Sequence, residues 1–252
     1  MISRRKVINI LSSLPFGGLF LGALLGTNSA RLMPTTTVSP SKKPLGKSIY
    51  DSIGVRPLIN ARGTVTVVGA TRILPEVQVA MDEAVKDFVQ IDELMNGVGL
   101  RLAEVTGAEW GVVSSGASAA ISIATAGCVT GGDPDKIWQI PNLDGMKDEV
   151  IIPSYSRSAY DAAAKAVGVR MVEVNSPEEL KAALGSSASE NGPLSLKIIA
   201  ALAKPLKVPI LVDAAAEGPE VPNPHIAQGA DMVAYSGGKY LRGPQCAGLL
   251  IG

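Results

Sequence analysis

An aspartate and a lysine at the ends of two neighbouring apolar runs carry the chemistry this sequence offers. The first run is Pro209-Ile210-Leu211-Val212-Asp213, followed by Ala214-Ala215-Ala216, and the second closes in Tyr235-Ser236-Gly237-Gly238-Lys239. Runs this short and apolar predict parallel strands buried on both faces, and open α/β sheets bind ligands at the carboxyl ends of such strands. A lysine placed there forms a Schiff base with an aldehyde, and a carboxylate holds a pyridine nitrogen protonated, which are the two demands of pyridoxal phosphate. The small residues after Asp213, Ala215 among them, leave room beneath a flat ring, and the Ser236 hydroxyl can donate to the phosphate. Singly, each residue has an ordinary alternative: an aspartate ending a strand commonly caps a helix, and a lysine after two glycines commonly lies in a solvated loop. The 26 residues that separate the pair match about one strand, crossover and strand, as adjacent strands in one site require.

A third stretch fits the same ligand. Glu109 to Val113 predicts a short strand, and Ser115-Gly116-Ala117-Ser118 turns directly into an apolar helix over Ala119 to Val129. Small residues let backbone amides approach an anion, and a helix N-terminus adds unpaired N–H groups and a favourable dipole for phosphate. Upstream, apolar residues at helical spacing from Pro75 to Phe88 predict one helix, and Asp92 to Val105, closed by Gly107, a second. Asp133 to Lys147 reads as loop. Downstream come a strand at Glu149 to Ile152, a helix at Ser158 to Val167, a strand at Arg170 to Val174, and a helix opened by the capping box Ser176-Pro177-Glu178-Glu179 and stopped at Gly185. Another helix begins near Leu194, with no strand pattern between it and Gly185. Strands at Val208 to Val212, Ala230 to Tyr235 and Ala247 to Ile251 complete the α/β pattern.

The 252 residues suffice for one large domain with a sizeable core. Basic and acidic residues balance at 23 each, so no global field favours nucleic acid. Two cysteines, Cys128 and Cys246, sit in apolar runs and read as core residues; with a single histidine they make neither a disulfide framework nor a metal site. His225, in a proline-rich turn, reads as a turn residue rather than a catalytic base. Met1 to Ala30 carries Ser3-Arg4-Arg5-Lys6 before a mostly apolar stretch, the layout of a twin-arginine export signal and hence of a periplasmic protein, with a cytoplasmic one as the alternative. Asn9, Ser12, Ser13 and Pro15 interrupt that stretch, so no stable membrane domain is expected unless the signal stays uncleaved. Residues 31–48 read as a linker.

With these motifs in view, the chain from Ile49 to Gly252 resembles the selenocysteine-synthase-like family of fold-type-I pyridoxal-phosphate enzymes, which includes bacterial L-seryl-tRNA(Sec) selenium transferase and related amino-acid and amino-sugar-acid lyases. The resemblance rests on Ile59-Asn60-Ala61-Arg62-Gly63-Thr64, Ser115-Gly116-Ala117, Val212-Asp213-Ala214-Ala215-Ala216-Glu217, and Ser236-Gly237-Gly238-Lys239 with Gly243-Pro244-Gln245. It implies pyridoxal 5'-phosphate as cofactor, Lys239 as its Schiff-base lysine, Asp213 as partner of the pyridine nitrogen, and Gly116, Ala117 and Ser236 near the phosphate, with Ser115 and Ser118 completing that turn. Arg157 and Arg62 become candidates for binding a substrate carboxylate. The implied chemistry is α-proton removal by the Lys239 amine and loss or replacement of a β-substituent on a small amino acid or amino-sugar acid.

The resemblance also sets expectations by its departures. Many relatives carry a histidine stacked on the cofactor ring; Tyr155-Ser156-Arg157 offers a serine there, leaving Tyr155 as the stacking candidate. The family's large domain has seven strands in the order 3-2-4-5-6-7-1, whereas six are counted here, with the missing one in the middle of the sheet. The small C-terminal domain is missing as well. Family sites lie at subunit interfaces, so a homo-oligomer is expected. The alternatives are the tRNA-acting transferase itself and a non-catalytic remnant of the fold.

Overall fold

The computed structural model describes residues 48–185 and 194–252. The expected export signal, nearly all of the linker, and the stretch between Gly185 and Leu194 expected to lack a strand lie outside the described residues. The chain divides into two compact units, Met1–Leu58 and Ile59–Gly252. In the first, the described part is a 3-10 turn, Ile49–Ile53, opened by the Ser48 hydroxyl accepting from the Tyr50 N–H.

The second unit holds six described strands: β1 (Gly111–Ser114), β2 (Glu149–Pro153), β3 (Arg170–Val174), β4 (Leu211–Asp213), β5 (Met232–Ser236) and β6 (Gly248–Ile251). They form a four-stranded sheet in the order β1-β6-β5-β4 and a two-stranded sheet, β2-β3. Pairing is parallel in β4-β5 and β2-β3 and antiparallel in β5-β6 and β1-β6. The antiparallel pairing follows from connectivity, because β5 returns as β6 through the loop that carries Lys239 instead of through a crossover helix. Among the described residues the strands thus fall into two groups, β3-β2 and β4-β5-β6-β1.

Around the sheets lie α1 (Pro75–Ala84), α2 (Ile91–Thr106), α3 (Ala117–Thr130), α4 (Pro134–Gln139), α5 (Ala162–Lys165), α6 (Pro177–Leu184), α7 (Leu196–Ala203) and α8 (Pro224–Ala227). Helix ends follow local chemistry. Ser176 caps α6 by accepting from the Glu179 N–H, Ser195 caps α7 by accepting from the Ile198 N–H, and α2 and α6 stop at Gly107 and Gly185 in the left-handed conformation. Helix α4 replaces part of the expected loop: Asp133 accepts from the Asp135 N–H and Pro134 takes the first helical position. Asp92 is not a cap but lies with Glu93 in the first turn of α2, where carboxylates meet the positive helix end. The expected helix from Ser158 to Val167 divides into a 3-10 turn, Ala159–Asp161, and the single α-turn of α5.

The core explains why both sheets hold together. Ala120, Ile121 and Ala124 of α3 pack against Ala234 and Leu250 of the larger sheet, and partly buried Val150 and Met171 of the smaller sheet join the same cluster. A second cluster, with Val233, Tyr235 and Ile251, gathers Leu196 of α7 and Ile226 of α8. Neither cysteine is part of this core. Cys128 and Cys246 are both exposed, because α3 is apolar all round and turns Ala124 and Thr125, not Cys128, inward, while Cys246 lies in the β5-β6 loop.

Candidate active site at the strand ends

The registers place the predicted residues along one edge. Ser236 of β5 stands opposite Gly248 of β6, Gly248 opposite Ser114 of β1, and Asp213 of β4 opposite Ala234 of β5. Asp213 and Ser236 thus end adjacent parallel strands, and the turn after β1 opens beside the loop after β5. The Ser115 to Ser118 turn, the loop after Asp213 and the Lys239 loop share this edge.

Each segment is positioned by a close backbone approach. Gly116 precedes α3 at φ 97 and ψ 166, a conformation suited to glycine, and no side chain caps the helix, so its first-turn amides face the turn. The Ser114 hydroxyl donates to the Gly116 carbonyl at 3.0 Å. Gly248 lies directly beneath this turn: a Cβ there would collide with the Gly116 carbonyl and the Ala117 nitrogen. Replacing Gly248 with alanine is therefore expected to displace the turn and lower unfolding stability by about 1–3 kcal/mol, read from urea denaturation. An unchanged midpoint would show that the turn does not rest on this glycine.

The two glycines before Lys239 have the same origin. A Cβ on Gly237 would meet Ala247 Cβ at 2.8 Å, and one on Gly238 would meet Gln245 Cα at 2.6 Å. Gly237 N–H donates to the Ala247 carbonyl at 2.7 Å, Gly243 N–H to the Gly237 carbonyl at 2.7 Å, and Arg242 N–H to the Lys239 carbonyl at 3.1 Å. Lys239 therefore sits on a loop folded tightly onto the start of β6, not on a free excursion. Its side chain is half-buried. Thr71, which the sequence did not single out, fastens the outer side of this loop: its N–H and hydroxyl donate to the Gly238 carbonyl at 3.2 and 2.7 Å, and the hydroxyl lies 2.9 Å from the Lys239 carbonyl. Asn60 extends the connection by donating to the Gly63 and Ala70 carbonyls, both at 2.8 Å, which brings the Arg62 loop toward the same segment.

Asp213 departs from the buried acid that its apolar strand suggested. It is exposed, since the last residue of β4 projects past the sheet edge, while the next residue, Ala214, is buried. One carboxylate oxygen accepts from the Ala215 N–H at 3.1 Å, so the alanine run orients the acid as well as leaving space beside it. Ser236 is buried at the end of β5. Ser115 and Ser118 are exposed at the turn, with Gly116 and Ala117 half-buried. His225, on α8, pairs with Glu217 at 2.8 Å.

The segment after β2 differs most from expectation. The Tyr155 hydroxyl donates to the Leu194 carbonyl, which ties this residue to the chain before α7. Tyr160 instead reaches the lysine, with Lys239 Nζ 5.9 Å from its ring centroid. Arg157 Nε donates to Asp161 and Nη1 to Glu173, so these two donors are committed to carboxylates of the protein and the residue braces the Tyr160 turn. Asp161 is nearly buried there. Burial pushes its carboxyl upward, but the Arg157 and Ser158 hydrogen bonds and the Arg157 and Lys165 charges outweigh burial and hold it below the usual range. A depressed folded-state value stabilises the protein above the unfolded carboxylate range near ~4, and this contribution is lost as pH falls through the folded value. Urea titrations are expected to show Asp161→Asn less stable than the unaltered protein at pH 7, with the difference closing as pH falls below the ordinary carboxylate range; a difference independent of pH would contradict the brace.

A shallow groove lined by Lys197, Ala200, Lys204 and Gln228 shares no residue with this edge. Among the described residues, no group of three or more His, Cys, Asp or Glu side chains is placed to hold a metal ion, and no helix is long and apolar enough to cross a membrane. The edge therefore offers an amine, a carboxylate, a helix N-terminus and an aromatic ring. These groups fit pyridoxal phosphate, which needs a covalent anchor, an acid for its ring nitrogen and amide donors for its phosphate.

No family model matches the chain. It is 34% identical over 217 residues to D-glucosaminate-6-phosphate ammonia lyase of Salmonella typhimurium (strain 14028s / SGSC 2262), a match covering 78% of this chain and 58% of that protein. It is 30% identical over 217 residues to a 5'-C-glycyluridine monooxygenase-decarboxylase of Streptomyces sp, covering 77% of this chain and 54% of the relative. The chain thus spans between half and two thirds of the length of these relatives. A solved structure of D-glucosaminate-6-phosphate ammonia-lyase superposes with a TM-score of 0.73 at 33% identity, over 81% of this chain and 60% of that one. The SepCysS-SepCysE N-terminal domain complex matches with a TM-score of 0.53 at 15% identity, over 80% of this chain and 59% of that one, a likeness of fold alone. The architecture is that of the large domain of the fold-type-I pyridoxal-phosphate enzymes.

Proposed function

We propose that the chain is a selenocysteine-synthase-like protein that binds pyridoxal 5'-phosphate through Lys239 and acts as a lyase or transferase on a small amino acid or amino-sugar acid. The observation that carries this reading is the convergence of Asp213, the Lys239 loop and the α3 N-terminus at one sheet edge. When bound, the cofactor supplies an electron sink for the charge left as a bond to the substrate α-carbon breaks. The residues of the chain do the rest. The Lys239 amine would anchor the cofactor and, as a free amine, would serve as the base for the substrate α-proton. The Asp213 carboxylate holds the proton at the pyridine nitrogen, the amides of Ala117 and Ser118 hold phosphate at the helix N-terminus, and Arg62 is a candidate ligand for the substrate acid group.

Similarity to an ammonia lyase of an amino-sugar acid supports that substrate class. The second relative carries the name of a different reaction at comparable identity, so the resemblance supports the lyase or transferase class and not one reaction outcome. Balanced charge favours a small substrate over tRNA, whose binding calls for a basic surface. The test is incubation with pyridoxal phosphate, borohydride reduction and peptide mass spectrometry. A single adduct on Lys239 supports the reading; adducts scattered over surface lysines, or none, overturn it.

We also propose that the protein works as a homo-oligomer. Val85, Phe88, Val89, Ile91, Leu94 and Leu100 are all exposed on the segment running from the end of α1 into α2. An apolar stretch of this extent is one that a monomer rarely leaves in water. Sedimentation at micromolar concentration is expected to show a dimer or larger species, and a well-behaved monomer would contradict this.

A further inference from the structure

We infer that Thr71 is a positioning residue for the anchor: its hydroxyl fixes the direction in which the Lys239 side chain leaves its loop, and so the rate at which that amine captures the cofactor aldehyde. The inference rests on the cofactor reading above. The hydroxyl lies 2.7 Å from the Gly238 carbonyl oxygen and 2.9 Å from that of Lys239, and its single proton is shared between them. Those two carbonyls belong to the peptide planes on either side of the Lys239 α-carbon. Each peptide unit is rigid, so one side chain that holds both planes sets the two backbone torsions between them, and with these the bearing of the Lys239 Cα–Cβ bond. In the capture itself the neutral amine adds to the aldehyde carbon, a C=N bond forms and one water leaves, so no co-reactant is needed.

Other contacts concentrate on the same seam. Thr71 N–H donates to the Gly238 carbonyl at 3.2 Å and Leu74 N–H to the Arg242 carbonyl at 3.0 Å, so the segment before α1 is fastened to both ends of the Lys239 loop. On the opposite side Gly238 packs against Gln245. Among the described residues three non-glycine residues have positive φ, and two of them bound this seam: Ala70, buried, at φ 47°, and Arg242 at φ 52°. Such conformations cost free energy and persist only where their surroundings over-determine them. The Asn60 side chain holds the first of them by donating to the Ala70 carbonyl at 2.8 Å. None of these contacts replaces the hydroxyl. Without it the Lys239 carbonyl keeps the Arg242 N–H, at 3.1 Å within its own turn, and the peptide plane after the lysine loses its tie to the segment before α1.

The experiment compares Thr71→Val and Thr71→Ala, which remove the hydroxyl with and without the branched side chain, with Thr71→Ser and the unaltered protein. Each protein is mixed with pyridoxal phosphate and quenched with borohydride at timed intervals, and the rate of adduct formation on Lys239 is read by peptide mass spectrometry. Labelling of Lys239 by acetic anhydride is measured beside it, because a small acylating reagent needs a reachable amine but not an aimed one. Thr71→Val and Thr71→Ala are expected to slow capture by a shared factor of about ten to a hundred, the loss that follows when a reacting group is misplaced. Thr71→Ser keeps the donor and is expected to stay within about threefold of the unaltered protein. Anhydride labelling should not change in any of them. Capture unslowed in Thr71→Val and Thr71→Ala, equal slowing in Thr71→Ser, or labelling that falls in step with capture overturns the assignment while leaving the cofactor reading intact. Loss of the folded far-ultraviolet circular dichroism in both hydroxyl-free variants makes Thr71 a staple of the fold and overturns it as well. Absence of a Lys239 adduct in the unaltered protein overturns the cofactor reading itself, and this inference with it.

Discussion

Lys239→Ala is expected to abolish the borohydride-trapped pyridoxal phosphate adduct and, with it, the α-proton removal that the proposed function requires. No other lysine is carried on the β5-β6 loop that this edge presents. The loop itself is held by backbone bonds from Gly237, Gly243 and Thr71, none of which uses the lysine side chain, so the variant should fold and retain its melting behaviour. Loss of a general base of this kind costs on the order of 10²–10⁴ in rate, and loss of the covalent anchor adds to that. Lys239→Arg provides the sharper control, because it keeps the positive charge over Tyr160 but cannot form the imine. Both variants should give no adduct on this loop and no deuterium exchange at the substrate α-carbon. Exchange persisting in either one would place the base elsewhere and remove the central residue of the proposed mechanism.

The parts of this site that were legible in the sequence are those set by local chemistry. Uninterrupted apolar runs marked the strands, six of which the described residues form. Ser-Gly-Gly-Lys and Ser-Gly-Ala-Ser marked the two loops, because small residues are required wherever backbone packs on backbone. The reason for each glycine was not legible. Gly248 is fixed by the Gly116 turn and Gly238 by Gln245, contacts that exist only after the sheet has formed. Long-range side-chain pairing was hidden in the same way. Arg157 reads as a free cation near the site until β3 brings Glu173 to it, and Tyr160 has no signature that separates it from Tyr155. Burial at strand ends was misread for a related reason: an apolar strand reports that its middle is covered, but the side chain of its last residue already lies beyond the sheet, and so Asp213 is exposed.

That exposure shapes what Asp213→Ala should do. The carboxylate accepts from the Ala215 N–H through one oxygen, which leaves the other to serve a ring nitrogen, and no residue of the Lys239 loop bonds to it. Removing the carboxylate therefore disturbs neither the anchor nor the Ser115 to Ser118 turn. The Lys239 adduct should still form, and affinity for pyridoxal phosphate should fall by no more than about tenfold, the loss of one charge-assisted hydrogen bond. Chemistry should fall much further. Without a carboxylate to hold the proton at the pyridine nitrogen, the ring is a poor acceptor for the charge left at the substrate α-carbon, and removal of one such electrostatic contribution costs on the order of 10²–10³ in rate. Measuring both quantities on one preparation separates binding from catalysis: adduct by mass spectrometry, and α-deuterium exchange by nuclear magnetic resonance with amino acids and amino-sugar acids. Adduct retained and exchange lost is the expected pair. Adduct and exchange lost together would make Asp213 a structural cap of the alanine turn, and exchange unaffected would remove it from the mechanism.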